Sequence, residues 1–124
     1  MWIWNPGKSV GKLFFEKKIN LDELPFDYSK VDEDGTRVIY ELEKQGVRIS
    51  VDKGIFTSAE LRKELVFKGT NLVGANTEAV LKIINDFQYE VMEHGSCGKE
   101  FICDSLGAIF WEEEGIIESI SVSM

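Results

Sequence analysis

Three groups of residues in this chain carry side chains capable of chemistry. His94-x-x-Cys97, with Cys103 and Asp104 downstream, offers an imidazole, two thiols and a carboxylate, the donor types of a zinc site. Structural zinc sites pair their cysteines closely, as Cys-x-x-Cys, whereas Cys97 and Cys103 are not so spaced. The plainer expectation is a loop histidine and two small thiols filling space, with no metal bound. The same residues would form a nucleophile–base pair only in an activating setting, and no such signature surrounds either cysteine. Gly7-Lys8-Ser9 has the ending of a phosphate-binding loop, but Trp2 stands where that motif needs its first glycine. The third group is acidic: Asp32-Glu33-Asp34 and Glu112-Glu113-Glu114. Carboxylates do acid–base work when burial drives their proton affinities apart, and runs on turns stay solvated. Their remaining use is recognition, because an acidic rim steers a basic partner by long-range attraction.

The totals narrow the partner class. With 14 basic and 22 acidic residues the net charge is −8, which argues against nucleic acid as a direct partner. It fits a soluble chain, or one that meets a basic protein. Met1-Trp-Ile-Trp-Asn-Pro6 shows no basic n-region and no long apolar core, and no run approaches membrane-spanning length. The expectation is a cytoplasmic protein with reduced cysteines and no membrane association. A length of 124 residues is that of one domain.

The elements that must position these side chains are mainly strands. Gly107 to Val122 reads as a hairpin, two runs rich in Ile, Phe, Trp and Val around a Glu-Glu-Gly turn. Gly46 to Leu61 has the same layout: Gly46 falls on Gly107, Gly54 on Gly115, Ile55 on Ile116 and Ser58 on Ser119, all at one offset. The pattern predicts a diverged internal repeat, spanning approximately residues 5–61 and 68–122. Alternation places Val38, Tyr40 and Leu42 on one face, as it does Val47, Ile49 and Val51. It also groups Ile55, Thr57, Ala59 and Leu61, while Arg48, Ser50, Ser58 and Glu60 point the other way. Thr57-x-x-Glu60 also fits a helix capping box, a reading ranked below the strand. By the same alternation Glu118 shares a face with Ile116, Ile120 and Val122. Trp111 lies on the opposite face, packed under a helix or presented as an interface anchor. Asp32 to Gly35 reads as an acidic turn. Asn20 caps a short helix ended by Pro25, and Asn76 or Thr77 caps the clearest helix, with Val80, Ile83, Ile84 and Phe87 as its apolar stripe. The fold class expected is α+β: one antiparallel sheet of two repeats, each a lead-in segment or helix followed by three strands, with helices on one face.

Asn5-Pro-Gly-Lys-Ser-Val-Gly11, Lys68-Gly-Thr-Asn-Leu-Val-Gly74 ahead of the helix, and Gly107-Ala-Ile-Phe-Trp with Gly115-Ile-Ile-Glu-Ser-Ile-Ser-Val122 resemble a family of small bacterial two-repeat proteins. That family is similar to the repeats of β-lactamase-inhibitor proteins and of small outer-membrane assembly lipoproteins. Its cytosolic members are often immunity proteins that neutralise polymorphic or contact-dependent toxins, and the absence of a lipobox sets the lipoprotein branch aside. The resemblance implies a non-enzymatic cytoplasmic protein with no catalytic residues and no cofactor. Its partner would be a cognate toxin domain with a basic nuclease cleft. Acidity and position together nominate Asp32, Glu33, Asp34, Trp111, Glu112, Glu113, Glu114 and Glu118 as toxin-binding residues. Two alternatives stand beside this: a structural or assembly module that holds a partner protein, and a metal or small-ligand binder centred on His94 and Cys97.

Overall fold

Gly46 and Gly107 each end a tight 3-10 turn, Glu43–Gln45 and Asp104–Leu106, at φ 64° and 66°. Each donates its N–H to the carbonyl of the first turn residue, Glu43 or Asp104. A side chain disfavours that left-handed backbone, so glycine closes the turn and the chain enters the next strand.

The computed structural model describes residues 1–124. In chain order the strands of the first half are β1 (Trp4–Asn5), β2 (Ser9–Val10), β3 (Leu13–Phe14), β4 (Ser29–Asp34), β5 (Arg37–Leu42), β6 (Val47–Asp52) and β7 (Ile55–Leu61). The rest are β8 (Val66–Phe67), β9 (Thr70–Asn71), helix α1 (Thr77–Ile83), β10 (Glu90–Glu93), β11 (Lys99–Cys103), β12 (Ala108–Glu113) and β13 (Ile116–Ser123). Eight strands form one antiparallel sheet in the order β10-β11-β12-β13-β7-β6-β5-β4. It is two four-stranded meanders joined at a β7–β13 seam, where Leu61 faces Ile120 and Ala59 faces Val122. Because the seam strands are antiparallel, the β6–β7 turn and the β12–β13 turn lie at opposite ends of the sheet.

One face of this sheet is the core. Ile49, Leu61, Phe110, Ile117 and Ile120 are fully buried on it, covered by the β1–β3 and β8–β9 segments and by α1. Trp4 sits between Phe67 and Phe110, with ring centroids 5.0 and 6.4 Å away. The predicted faces of β5 and β6 hold: Val38 opposes Val51, Tyr40 opposes Ile49 and Leu42 opposes Val47. Thr57 and Glu60 lie in β7, so the strand prevails over the capping box. Asn76 caps α1 by accepting from the Glu78 N–H, and Val80 and Ile84 are buried as the stripe predicts. The helix is only seven residues long and stops before Phe87. The Asn20-capped segment is a single 3-10 turn, Leu21–Glu23. No helix is long and apolar enough to cross a membrane.

Three local expectations need correction. Ser50 pairs with Ser58 and Val51 with Phe56, which leaves Thr57 unpaired in a bulge; Trp111 pairs with Ser119 and Glu112 with Ile117, which leaves Glu118 unpaired in another. A bulged residue shifts the alternation by one. Phe56 and Ile117 therefore reach the core in place of Ile55 and Ile116, and Glu118 is exposed rather than aligned with Ile120 and Val122. The Thr57 hydroxyl donates to the Ser50 carbonyl at 3.1 Å, closing the first bulge. Secondly, Asp32, Glu33 and Asp34 are not a turn. They are the end of edge strand β4, opposite Ile39, Val38 and Arg37. Thirdly, each meander has four strands, the extra ones being β4 and β10. Both edge strands are wholly exposed; their backbone is ordered by the ladder groups that β5 and β11 would otherwise leave unpaired.

Candidate functional site

The outer face of the sheet carries the alternate residues of its strands. Cavities of about 450 and 230 Å³ open onto it and share Ser58 and Ser121. Small side chains at the seam leave this hollow, and an ion network fixes its wall. Glu41 on β5 accepts from Arg48 Nε at 2.8 Å and from the Arg62 guanidinium, which also meets Glu60 at 3.1 Å. Burial by itself would raise the proton affinity of Glu41; the hydrogen bonds from Arg48 and Arg62 outweigh it and hold the carboxyl below its ordinary value.

That direction sets a pH dependence. A carboxylate depressed in the folded state stabilises above its unfolded pKa of about 4.3, and the contribution disappears as pH falls through the folded value. Glu41→Gln is expected to lower stability by about 1–2 kcal/mol at neutral pH, a modest cost because both arginines remain partly hydrated. Denaturant melts of the two proteins should converge as pH drops below the usual carboxylate range. A gap independent of pH would show that the carboxylate charge has no part in it.

The nominated residues fall into two places. Trp111 lies on the outer face of β12, opposite Glu100, and no helix covers it. The loop after β10 leans on it instead: the His94 ring is 5.4 Å away, and His94 Nε2 is 2.5 Å from Glu100 Oε1. Trp111 is thus a half-exposed aromatic edged by a histidine and a carboxylate. Glu113 and Glu114 are exposed beside it. Glu112 differs from them, since it opposes Lys99 and Ile117 and its carboxylate accepts from the Gly115 N–H at 3.4 Å. Glu118 protrudes from its bulge on the same hairpin. Asp32, Glu33 and Asp34 are elsewhere: β4 is five strand spacings from β12, about 24 Å, and the acidic ends of the two strands point opposite ways. The two acidic groups occupy diagonal corners of the sheet and cannot share one small ligand.

The metal-type residues do not converge. Cys103 is buried in the core, Cys97 is exposed in its loop and His94 rests on Trp111 across the sheet. No group of three or more His, Cys, Asp and Glu side chains is arranged as a metal site. Gly7 and Lys8 lie in the β1–β2 turn and Ser9 opens β2, its hydroxyl accepting from the Asn5 side chain at 3.2 Å, with no helix behind the turn to hold a phosphate. Sequence reasoning missed the Glu41–Arg48–Arg62–Glu60 network. Its signal was present, since the β5–β6 hairpin register sets Glu41 directly opposite Arg48. His94 and Glu100 were likewise readable as residues flanking one turn.

No protein-family model matches the chain, and no significant similarity links it to a curated protein or to a solved structure.

Proposed function

We propose that this protein is a cytoplasmic immunity protein that binds and neutralises a cognate bacterial toxin domain, one with a basic, nuclease-type cleft. The observation that carries the reading is the outer sheet face: hollowed by two shallow cavities, without a covering layer, presenting half-exposed Trp111, with Glu113 and Glu114 free of ion-pair partners nearby on a chain of net charge −8. An uncovered face of this kind is suited to a protein partner, and its charge sign to a basic one. The resemblance stated above supplies the toxin as the partner class. We also infer that the two meanders are diverged copies of one unit. Supporting this, the 3-10 turns, the closing glycines, the bulges at Thr57 and Glu118, and the left-handed Lys53 and Glu114 all recur at the same offset.

The test is co-expression with the toxin encoded beside this gene. Rescue of growth and copurification of a complex are expected, and failure of rescue with that toxin sinks the reading. Within a rescued pair, Glu113→Lys with Glu114→Lys should slow association about tenfold and flatten its salt dependence, because rim charges act by steering. Trp111→Ala should speed dissociation by a similar factor, since buried anchors govern residence time. Rescue with both variants unaffected would move the interface to the β4 corner, at Asp32, Glu33 and Asp34.

A further inference from the structure

The fold leaves backbone groups facing solvent at both sheet edges, β4 and β10, and β10 is the unguarded one. This strand ends the sheet and pairs with β11 in unbroken register, from Glu90 opposite Ile102 to Glu93 opposite Lys99. The His94 N–H donates to the Gly98 carbonyl at 2.9 Å, which fixes the phase of the ladder. Glu90 and Met92 turn their N–H and C=O groups toward β11, so Val91 and Glu93 turn theirs outward to solvent. The side chains are equally unusual. Tyr89, Val91 and Met92 are 40, 50 and 51% exposed, a cluster of large apolar groups within four residues. The opposite edge, β4, carries devices that discourage pairing: a bulge at Val31, and the charges of Lys30, Asp32, Glu33 and Asp34. β10 has no bulge. A cavity of about 730 Å³ lies beside its start, lined by Asp86, Phe87, Tyr89, Glu90, Ile102 and Asp104. Glu93 is met by Lys99 at 3.6 Å, whereas Asp86, Glu90 and Asp104 have no ion-pair partner.

We propose that β10 takes up an extended segment of a partner protein as a ninth strand, and that this segment reads basic–apolar–apolar–basic. Opposed residues in an antiparallel pair share a face and touch. A partner strand therefore matches Glu93 and Glu90 with bases, and Met92 and Val91 with apolar side chains; the pattern is the same in either direction. A base one step beyond Glu90 enters the cavity, where Asp86 and Asp104 supply charge and Tyr89 and Phe87 supply ring faces. A second copy of β10 would bring two more glutamates and no base, so self-pairing is disfavoured by its own charge. The proposal concerns an edge and a sequence pattern, and it holds whether or not the partner is a toxin.

The experiment is an NMR titration of the isotope-labelled protein with a synthetic peptide of about ten residues centred on Lys-Val-Leu-Lys, read as shifts and as amide hydrogen exchange. Saturable shifts confined to β10 and its neighbours are expected, with exchange at the outward Val91 and Glu93 amides slowed at least about tenfold. Val91→Pro removes one outward N–H without touching the β11 ladder, and should weaken binding at least about tenfold while the rest of the spectrum stays unchanged. The same peptide N-methylated at alternate residues tests the ladder without altering the protein, and it should not bind. A Glu-Val-Leu-Glu peptide should bind at least about tenfold more weakly at low salt. Absence of saturable shifts at millimolar peptide, shifts mapping elsewhere, or equal binding of methylated and unmethylated peptides overturns the proposal. So does slowing of the same amides with protein concentration alone, which would give the edge to a second copy.

Discussion

Phe110→Ala is expected to destabilise the fold by about 3–5 kcal/mol, while Ile109→Ala should change it by no more than about 0.5 kcal/mol. The two are large apolar neighbours on β12 that point to opposite faces. Phe110 is 1% exposed, opposite Phe101 and Ile120 and edge-on to Trp4; Ile109 is 37% exposed on the outer face beside Ser121. Truncating Phe110 leaves a cavity walled by strands from the second meander and by the indole of Trp4, and those walls are tied by ladder hydrogen bonds that resist collapse. Truncating Ile109 only uncovers solvent-facing surface. The pair is therefore a test of register, because a slip of one residue exchanges the faces. Equal losses from the two variants in urea melts would show that β12 is assigned to the wrong phase.

The second large effect is at Gly107, where Ala should cost about 3 kcal/mol. Two causes add there. The backbone sits at φ 66°, and a Cβ would lie 2.3 Å from the Ser123 carbonyl oxygen, which is held because the Ser123 N–H donates to the Gly107 carbonyl at 2.8 Å. Gly115 provides the comparison, at φ 80° with open space where its Cβ would be. Gly115→Val should cost about 1–3 kcal/mol through torsional strain alone. Asn tolerates a left-handed backbone, so Gly115→Asn should recover most of that loss. Gly107→Asn should not recover, because its Cβ still meets the Ser123 carbonyl. Thermal melts of the four variants decide it: recovery by Asn at both positions would mean that the end of β13 gives way and the close approach carries no energy.

These substitutions reach the limits of what the chain makes legible. Glycines at 46, 54, 107 and 115 recur at one offset with apolar alternation between them, and that pattern read correctly as two hairpins of one layout. Asn76 ahead of Val80 and Ile84 read correctly as the start of a helix. The pattern failed at Ile55-Phe56 and Ile116-Ile117, where adjacent apolar residues satisfy either phase of the alternation. A bulge chose between them, and Glu118 changed from an inward to an exposed residue. β4 and β10 were illegible for a different reason. Ser-Lys-Val-Asp-Glu-Asp and Glu-Val-Met-Glu carry no strand pattern of their own, and what holds them extended is the unpaired edge of the neighbouring strand.

The candidate site divides in the same way. By itself the sequence determined the net charge, the acidic runs at 32–34 and 112–114, and the hairpin that carries the second of them, because composition and short-range periodicity act within a few residues. Only the tertiary structure decided the seam, at which β7 and β13 pair across nearly half the chain. That single antiparallel pairing sends the two acidic runs to opposite ends of the sheet and sets the small residues Ser58 and Ser121 beside the cavities of the outer face. Pairing of β10, β11 and β12 within the second meander turns Cys103 into the core and His94 onto Trp111, dispersing residues that stand close together in sequence. Side chains on one strand alternate between faces, so nearness along the chain separates such groups as readily as it gathers them. Pairing between distant strands assembles a site, and its register is the sum of many weak contacts that no local stretch encodes.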